Sequence, residues 1–302
     1  MPCSWRRRLY FKACRSRFID QYRETLFYIA VQVNLVTNEE VDFLVNDLLE
    51  IYGYDFNNYS KASFKRRVNR LFSLDKFPSF AEFRYHLRND PTYLKRFVEE
   101  ITVNVTEMFR DPEFYKTLRN EVLPVLGTYP FIRIWMAGCS TGEEVYSMAI
   151  LLEEVNLLHK SLLYATDLNP DALEKAGRGM FPLSAMKQYS ENYILSGGLK
   201  DFSFYYTANY HLAKFREELR SKMIFGTHNL VSDHSFNEFQ LILCRNVLIY
   251  FDTNLQTRVF KLFDNSLEPL GFLALGSKET LRFSTVNKNY KQLEPEKIWR
   301  KV

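Results

Sequence analysis

The sequence predicts an α/β fold: a doubly wound sheet with a small β insertion, preceded by an all-α helical domain. Three observations predict it. An apolar run, Phe131 to Met136, breaks into a turn holding Gly138 and Gly142 and passes at once into a helical pattern. Beyond residue 130, apolar strand-like runs alternate with helical stretches, as parallel strands joined by crossovers require. Before residue 130 there is no strand pattern, and four helical patterns follow one another.

The helical part begins at Thr37. Thr37-Asn38-Glu39-Glu40 reads as a capping box, with the Thr37 hydroxyl and the Glu40 carboxylate satisfying each other's backbone N–H. Val41, Leu44, Leu48 and Ile51 then recur at helical spacing, and Gly53 ends the run. Lys61 to Leu74 forms a second helix with Phe64, Val68, Leu71 and Phe72 facing inward. Pro78-Ser79 starts a third, through Leu87, and Pro91 a fourth, to about Val103. The helical domain thus covers 37–105, and residues 106–302 form the α/β domain. Asp111-Pro112 opens a linking helix that runs through Val125.

The strand-like runs that follow lie at 131–136, 162–166, 223–226, 239–244 and 270–275. Helical stretches occupy 143–157, 169–178 and 253–268, the last marked by Leu255, Val259, Leu262 and Leu267. Residues 190–222 interrupt this rhythm. Phe202-Ser203-Phe204-Tyr205-Tyr206 alternates with period two and reads as a strand. Thr207-Ala208-Asn209 reads as a turn, and Tyr210-His211-Leu212 as a return strand.

The bulk numbers exclude several classes. Of the 302 residues, 46% are hydrophobic, ample for a large core. The net charge of +4 is local: residues 1–36 carry +5, leaving −1 for the rest. The folded body therefore gives no electrostatic argument for nucleic acid. Residues 1–36 read as a basic N-terminal extension of unknown role. Its apolar run, Leu26 to Val36, is interrupted by Gln32 and Asn34. It is too short to span ~30 Å of hydrocarbon, and no small-residue cleavage site follows it. Cys3, Cys14, Cys139 and Cys244 form no C-x-x-C pair, and the five histidines show no zinc spacing. Reduced thiols, no metal and a cytoplasmic protein are expected.

The chemistry-bearing residues fall at strand ends. The Gly138/Gly142 turn permits close backbone approach to a ligand, and the helix start beyond it offers unpaired N–H groups. The second strand ends in Asp167, where an acid binds ribose hydroxyls in doubly wound folds. The spacing is not G-x-G-x-x-G, and Glu143 and Glu144 would repel a pyrophosphate. A cationic or neutral nucleoside fits better, with S-adenosylmethionine the obvious candidate. Asn229-Leu230, and Arg245, Asn246 and Tyr250, follow two further strands and share the crevice address. Asn104-Val105-Thr106-Glu107-Met108-Phe109-Arg110 lies at the domain junction, where Arg110 can fork onto a carboxylate. Plainer readings stand beside these: Asp167 as a helix cap, Arg245 as half of a structural ion pair, Cys139 as a small buried residue. Lys61, Lys65, Arg66, Arg67 and Arg70 share one helix face, which is either simply solvated or a docking surface for an acidic helix.

Taken in order, N-x-T-x-x-F-R at 104–110, S-T-G-E-E at 140–144 and C-R-N-V-x-I-Y-F at 244–251 resemble the CheR family, the chemotaxis receptor protein-glutamate O-methyltransferases. The resemblance covers about residues 37–302. It implies a Rossmann-like methyltransferase domain that binds S-adenosylmethionine through Asn104, Thr106, Arg110, Glu144, Asp167, Asn229, Leu230, Arg245 and Asn246, leaving S-adenosylhomocysteine as product. It places Tyr250 near the transferred methyl, with Arg110 and Tyr250 as the catalytic pair. The implied acceptors are glutamates on the cytoplasmic helices of chemoreceptors, methylated in sensory adaptation. A monomer is expected to dock them through Lys65, Arg66 and Arg70 and through the β insertion, which in some members holds a receptor's C-terminal tail. Two departures stand out. Gly276-Ser277-Lys278-Glu279 lacks the His of the family's G-H-S-E, and Cys139 replaces a more usual Ala. Two other functions compete: methylation of another signalling protein, and non-catalytic sensing of S-adenosylmethionine. A nucleic-acid methyltransferase is disfavoured, since Arg245-Asn246-Val247-Leu248 stands where an N-P-P-Y-like segment would be needed.

Overall fold

Capping and burial shape the first helix, α1 (Asn38–Tyr52), as its sequence dictates. In the computed structural model, which describes residues 35–102 and 106–302, the Thr37 N–H donates to Glu40 Oε2 at 2.7 Å and the Glu40 N–H to Thr37 Oγ1 at 3.2 Å. Gly53 closes the helix in the left-handed region at φ 73°. Val41, Leu44, Val45 and Leu48 are buried, whereas Ile51 is 43% exposed, against expectation. The buried stripe continues through Tyr52 instead, whose hydroxyl donates to Leu87 O at 2.9 Å. The basic extension up to residue 34 lies outside the described residues, as does Asn104.

Three more helices follow: α2 (Lys61–Leu74), α3 (Phe80–Asn89) and α4 (Pro91–Thr102). Ser79 caps α3 by accepting from the Glu82 N–H. Phe64, Val68, Leu71 and Phe72 are buried and join Phe83, Leu87 and Phe97 in an aromatic core. The chain forms two compact units. One comprises the described residues through Tyr54 with Phe64–Phe97; the other comprises Asp55–Ser63 with Val98–Val302. The short segment 55–63 therefore belongs to the α/β unit although helices flank it in sequence.

In the second unit, α5 (Pro112–Thr117), a π-helical turn (Leu118–Val122) and α6 (Leu123–Leu126) make up the expected linking helix. Then come β1 (Ile132–Ala137), α7 (Glu143–Glu154), β2 (Ser161–Asp167), α8 (Pro170–Arg178), β3 (Met180–Pro182) and α9 (Met186–Leu195). They are followed by β4 (Tyr206–Asn209), β5 (Leu212–Phe215), α10 (Glu217–Arg220), β6 (Met223–Thr227) and β7 (Phe239–Cys244). The chain closes with α11 (Thr253–Ser266), β8 (Leu267–Leu275), β9 (Tyr290–Leu293) and β10 (Ile298–Lys301). The main sheet has seven strands in the order β6-β2-β1-β7-β8-β10-β9. The pairs β6–β2, β2–β1, β1–β7 and β7–β8 are parallel, and β10 runs antiparallel to both neighbours. Side chains alternate across the sheet, so β1 sends Ile132, Ile134 and Met136 into one core and Trp135 and Ala137 into the other. Order reverses between β1 and β7, the switch point at which open α/β sheets leave a crevice.

Two sequence expectations are corrected here. Phe202–Tyr205 is a 3₁₀ turn, not a strand. Phe202 and Tyr205 are both buried, and the apparent alternation reflects aromatic packing rather than a pleat. The strands are instead β4 and β5, and they pair with β3 in the order β3-β5-β4. The small sheet thus starts at Met180, ahead of the expected 190–222, with α9 lying between its strands. The β9–β10 pair and α9 are additional to the expected elements.

Candidate functional site

Gly138 stands where β1 leaves the sheet. Its φ is 78°, and a Cβ there would collide with Val247, so only glycine satisfies both backbone and packing. The Gly138 and Cys139 N–H groups both donate to Thr166 O, at 2.8 and 2.9 Å, which folds the turn toward the end of β2. There Asp167 accepts from the Ser140 N–H through Oδ2 at 2.8 Å and from the Asn169 N–H through Oδ1 at 2.9 Å. Burial raises the Asp167 pKa, and these N–H donors oppose the rise. Asp167 itself is not the cap of α8; Asn169 is, accepting from Asp171 and Ala172 N–H.

The two acids after the turn diverge. Glu143 is buried and accepts from Thr141 Oγ1 at 2.6 Å; burial pushes its pKa up. Glu144 lines the cleft and accepts from Arg245 Nη1 at 2.7 Å. Only one of the pair therefore confronts a ligand. Gly142, expected at the ligand, is absent from the cleft lining. It is the left-handed cap of α7 at φ 97°, and an added Cβ would lie 2.8 Å from Ala176 Cβ. Its task is to let α8 pack closely. Cys139 is buried, and burial holds its thiol well above its ordinary pKa, so it stays protonated.

One cleft collects Thr106, Arg110, Gly138, Glu144, Asp167, Asn229, Leu230, Arg245, Asn246 and Tyr250. All the expected ligand residues among those described are there except Gly142. Phe109 anchors the approach to Arg110: its ring is fully buried against Tyr115 and Tyr193, and its N–H donates to Ser147 Oγ at 3.0 Å. Asn229 turns its Oδ1 onto the Val231 N–H at 2.9 Å. Arg245 is 7% exposed and stacks on Phe114. Its guanidinium binds Glu144, Asp111 Oδ2 at 2.6 Å and Arg110 O at 3.0 Å. The structural ion pair is therefore real, and Arg245 acts in the cleft by fixing Glu144 and the Arg110 corner. Phe109, Asp111, Ser140 and Asn246 all have φ between 51° and 63°, a clustering of backbone strain common at ligand sites.

Sequence reasoning missed two contributors. Glu279, in the departing Gly-Ser-Lys-Glu segment, is 5% exposed. It accepts from the N–H groups of Gly276 at 2.6 Å, Asn246 at 3.0 Å and Ile249 at 3.3 Å, and so organises the loop that carries Tyr250. The departure at His leaves this Glu in place. Tyr59, from the 55–63 segment, lines the same cleft. Nothing local in the sequence marks it, because its strand partner, Phe251, lies almost 200 residues away. Among the described residues no cluster of His, Cys, Asp or Glu could hold a metal.

An open, mostly parallel sheet with an acid-lined crevice at its switch point defines a nucleoside-ligand α/β protein. Residues 104–298 match the family model "CheR methyltransferase, SAM binding domain", and residues 39–102 match "CheR methyltransferase, all-alpha domain". The chain belongs to the CheR methyltransferase family: it is an S-adenosylmethionine-dependent methyltransferase with a helical N-terminal domain. Among its curated relatives is the "Putative methyltransferase Cher3" of Pseudomonas putida, 46% identical over 268 residues, covering 88% of this chain and 97% of the relative. The "Chemotaxis protein methyltransferase" of Listeria monocytogenes is 34% identical over 232 residues, covering 76% of this chain and 85% of that one. The protein of the same name in Salmonella typhimurium is 31% identical over 228 residues, covering 72% and 74%. The residues present suit the donor: Glu144 and Asp167 give the crevice an acidic wall for a cationic nucleoside, and Gly138 brings backbone to its floor.

Proposed function

We propose that the protein methylates glutamate side-chain carboxylates of chemoreceptors, forming methyl esters during sensory adaptation, and that it acts in the cytoplasm. The observation that carries this reading is the composition of the cleft: Arg110, able to orient a carboxylate, and Tyr250 share it with Glu144 and Asp167, while the histidine in its wall, His228, has its Nε2 on His234 O at 3.2 Å. Glu144 is occupied by Arg245, Asp167 by two backbone N–H groups, and the Cys139 thiol is held protonated. An amine or hydroxyl acceptor would need a base; a glutamate, with a pKa of about 4.3, is already ionised at neutral pH. Bound S-adenosylmethionine supplies a methyl on a sulfonium, and its transfer to a carboxylate oxygen breaks the C–S bond, leaves the electron pair on sulfur and moves no proton. The protein's part is then to position the reactants in line. Arg110 orients the acceptor carboxylate, Asp167 holds the ribose hydroxyls, and Tyr250 shapes the transfer end. The chemotaxis names of the relatives support the receptor assignment. No helix among the described residues is long and apolar enough to cross a membrane. The test is incubation with methyl-labelled S-adenosylmethionine and membranes of the source organism. Base-labile label on receptor-sized membrane proteins is expected. Base-stable label, or label confined to other proteins, would overturn the receptor-glutamate assignment.

A further inference from the structure

Residues Asp55–Ser63 form a strap within the α/β unit. The Ser60 N–H donates to Tyr250 O at 2.8 Å, and the Asp252 N–H donates to Asn58 O at 2.9 Å. Between these bonds Tyr59 pairs antiparallel with Phe251. The Tyr59 ring stands edge-on to Phe251 at 5.1 Å and to Phe56 at 4.9 Å, and Phe56 is buried. The strap and the loop bearing Tyr250 therefore hold one another, and Tyr59 is fixed in the cleft wall beside Arg110 and Tyr250.

Position along the sheet decides what Tyr59 faces. Asp167, Asn229 and Leu230 follow β2 and β6, on one side of β1. Tyr59 is tied to the loop after β7, on the other side. With the ribose on Asp167, the amino-acid end of the donor would extend toward Glu144, whose carboxylate lines the cleft and complements an ammonium. The sulfonium, between those two ends, would then lie on the Tyr59 side of the ribose. An aromatic ring attracts a cation through its negative face and gains little from a neutral thioether.

We propose that Tyr59 is a donor-selecting residue: its ring contacts the sulfonium and favours S-adenosylmethionine over S-adenosylhomocysteine. The proposal rests on the cleft being the S-adenosylmethionine site, and the experiment separates the two. Affinities of the full chain for both ligands are measured by calorimetry for wild type, Tyr59→Phe, Tyr59→Leu and Asp167→Ala. Tyr59→Leu is expected to weaken S-adenosylmethionine about five- to tenfold more than S-adenosylhomocysteine. Tyr59→Phe should keep the wild-type ratio, and Asp167→Ala should weaken both ligands alike. If folded Asp167→Ala weakens neither, the cleft assignment falls and the proposal with it. If Asp167→Ala weakens both and Tyr59→Leu leaves the ratio unchanged, Tyr59 is only a fastening of the strap. Tyr59→Met, a flexible filler of the same site, supplies the measurement should the leucine variant fail to fold.

Discussion

A single carboxylate, Asp167, anchors the donor-binding reading, and its surroundings make that reading testable. Both its oxygens already accept backbone N–H groups from the turns that frame the cleft, so the carboxylate is rigid before any ligand arrives. Asp167→Ala should weaken S-adenosylhomocysteine binding by ~1.5–3 kcal/mol, the scale of hydrogen bonds to a charged acceptor; calorimetry at neutral pH measures it. The pH dependence has a fixed sign. Burial raises the Asp167 pKa, and the ionised form is the acceptor. Affinity is therefore expected to be constant above that raised pKa and to fall as pH drops through it, starting above the ordinary aspartate value of about 3.9. Affinity flat down to that ordinary value would show either that the backbone N–H donors outweigh burial at Asp167 or that Asp167 does not hold the ribose. Asp167 and Tyr250 were both legible in the sequence, because each ends or follows an apolar run long enough to be read as a strand. Glu279 and Tyr59 were not, since their importance lies in contacts with Asn246, Ile249 and Phe251 that no local pattern encodes.

Elements are held to one another chiefly by apolar cores, but α7 also fastens the linking helix, α9 and the 3₁₀ turn before β4 through one buried acid. Glu154 at its end has no exposed side-chain surface and pairs with Arg119 at 2.6 Å. It also accepts from the Leu199 N–H at 2.7 Å and the hydroxyls of Tyr193 and Tyr205 at 2.5 and 3.1 Å. Glu154→Ala would strand the largely buried Arg119 and two tyrosine hydroxyls. Losing one partner of a buried pair costs about 3–5 kcal/mol, and that loss is expected in denaturant unfolding. A change under 1 kcal/mol would mean that water replaces the acid at little cost. Phe202, Tyr205, Ala213 and Phe215 belong to the same hydrophobic core as β1 and α7. The insertion is thus part of the folded body at its base, while its β4–β5 tip, with Tyr210 92% exposed, is open to a partner.

For the whole molecule, the charge distribution bears on how an acidic receptor helix would be met. Arg66 and Arg70 are exposed on α2, one turn apart, whereas Lys65 donates to Asn38 Oδ1 at 2.7 Å. We propose that the two arginines steer the receptor's glutamate-bearing helices toward the enzyme. Arg66→Glu with Arg70→Glu should slow receptor methylation several-fold at low salt, and added salt should narrow the gap as it screens the charges. Affinity for S-adenosylhomocysteine should be unchanged. Methylation rates indifferent to both salt and charge reversal would leave this face merely solvated.

By itself the sequence determined the helical domain, the central strands and the order of motifs along the cleft. Each of these is written in local periodicity, in caps such as Thr37–Glu40, or in glycines that the backbone requires. Only the tertiary structure decided the rest. It sent Glu143 into the core and Glu144 into the cleft, and it paired Arg245, in the cleft wall, with Glu144 and Asp111. It took Gly142 out of the ligand wall and set it against α8. It converted an alternating Phe202–Tyr206 run into a 3₁₀ turn followed by an edge strand. It also recruited 55–63 into the α/β unit. The physical reason is common to all five. Which way a side chain points, and what its backbone bonds to, depends on partners far along the chain, and those partners are chosen when the sheet assembles.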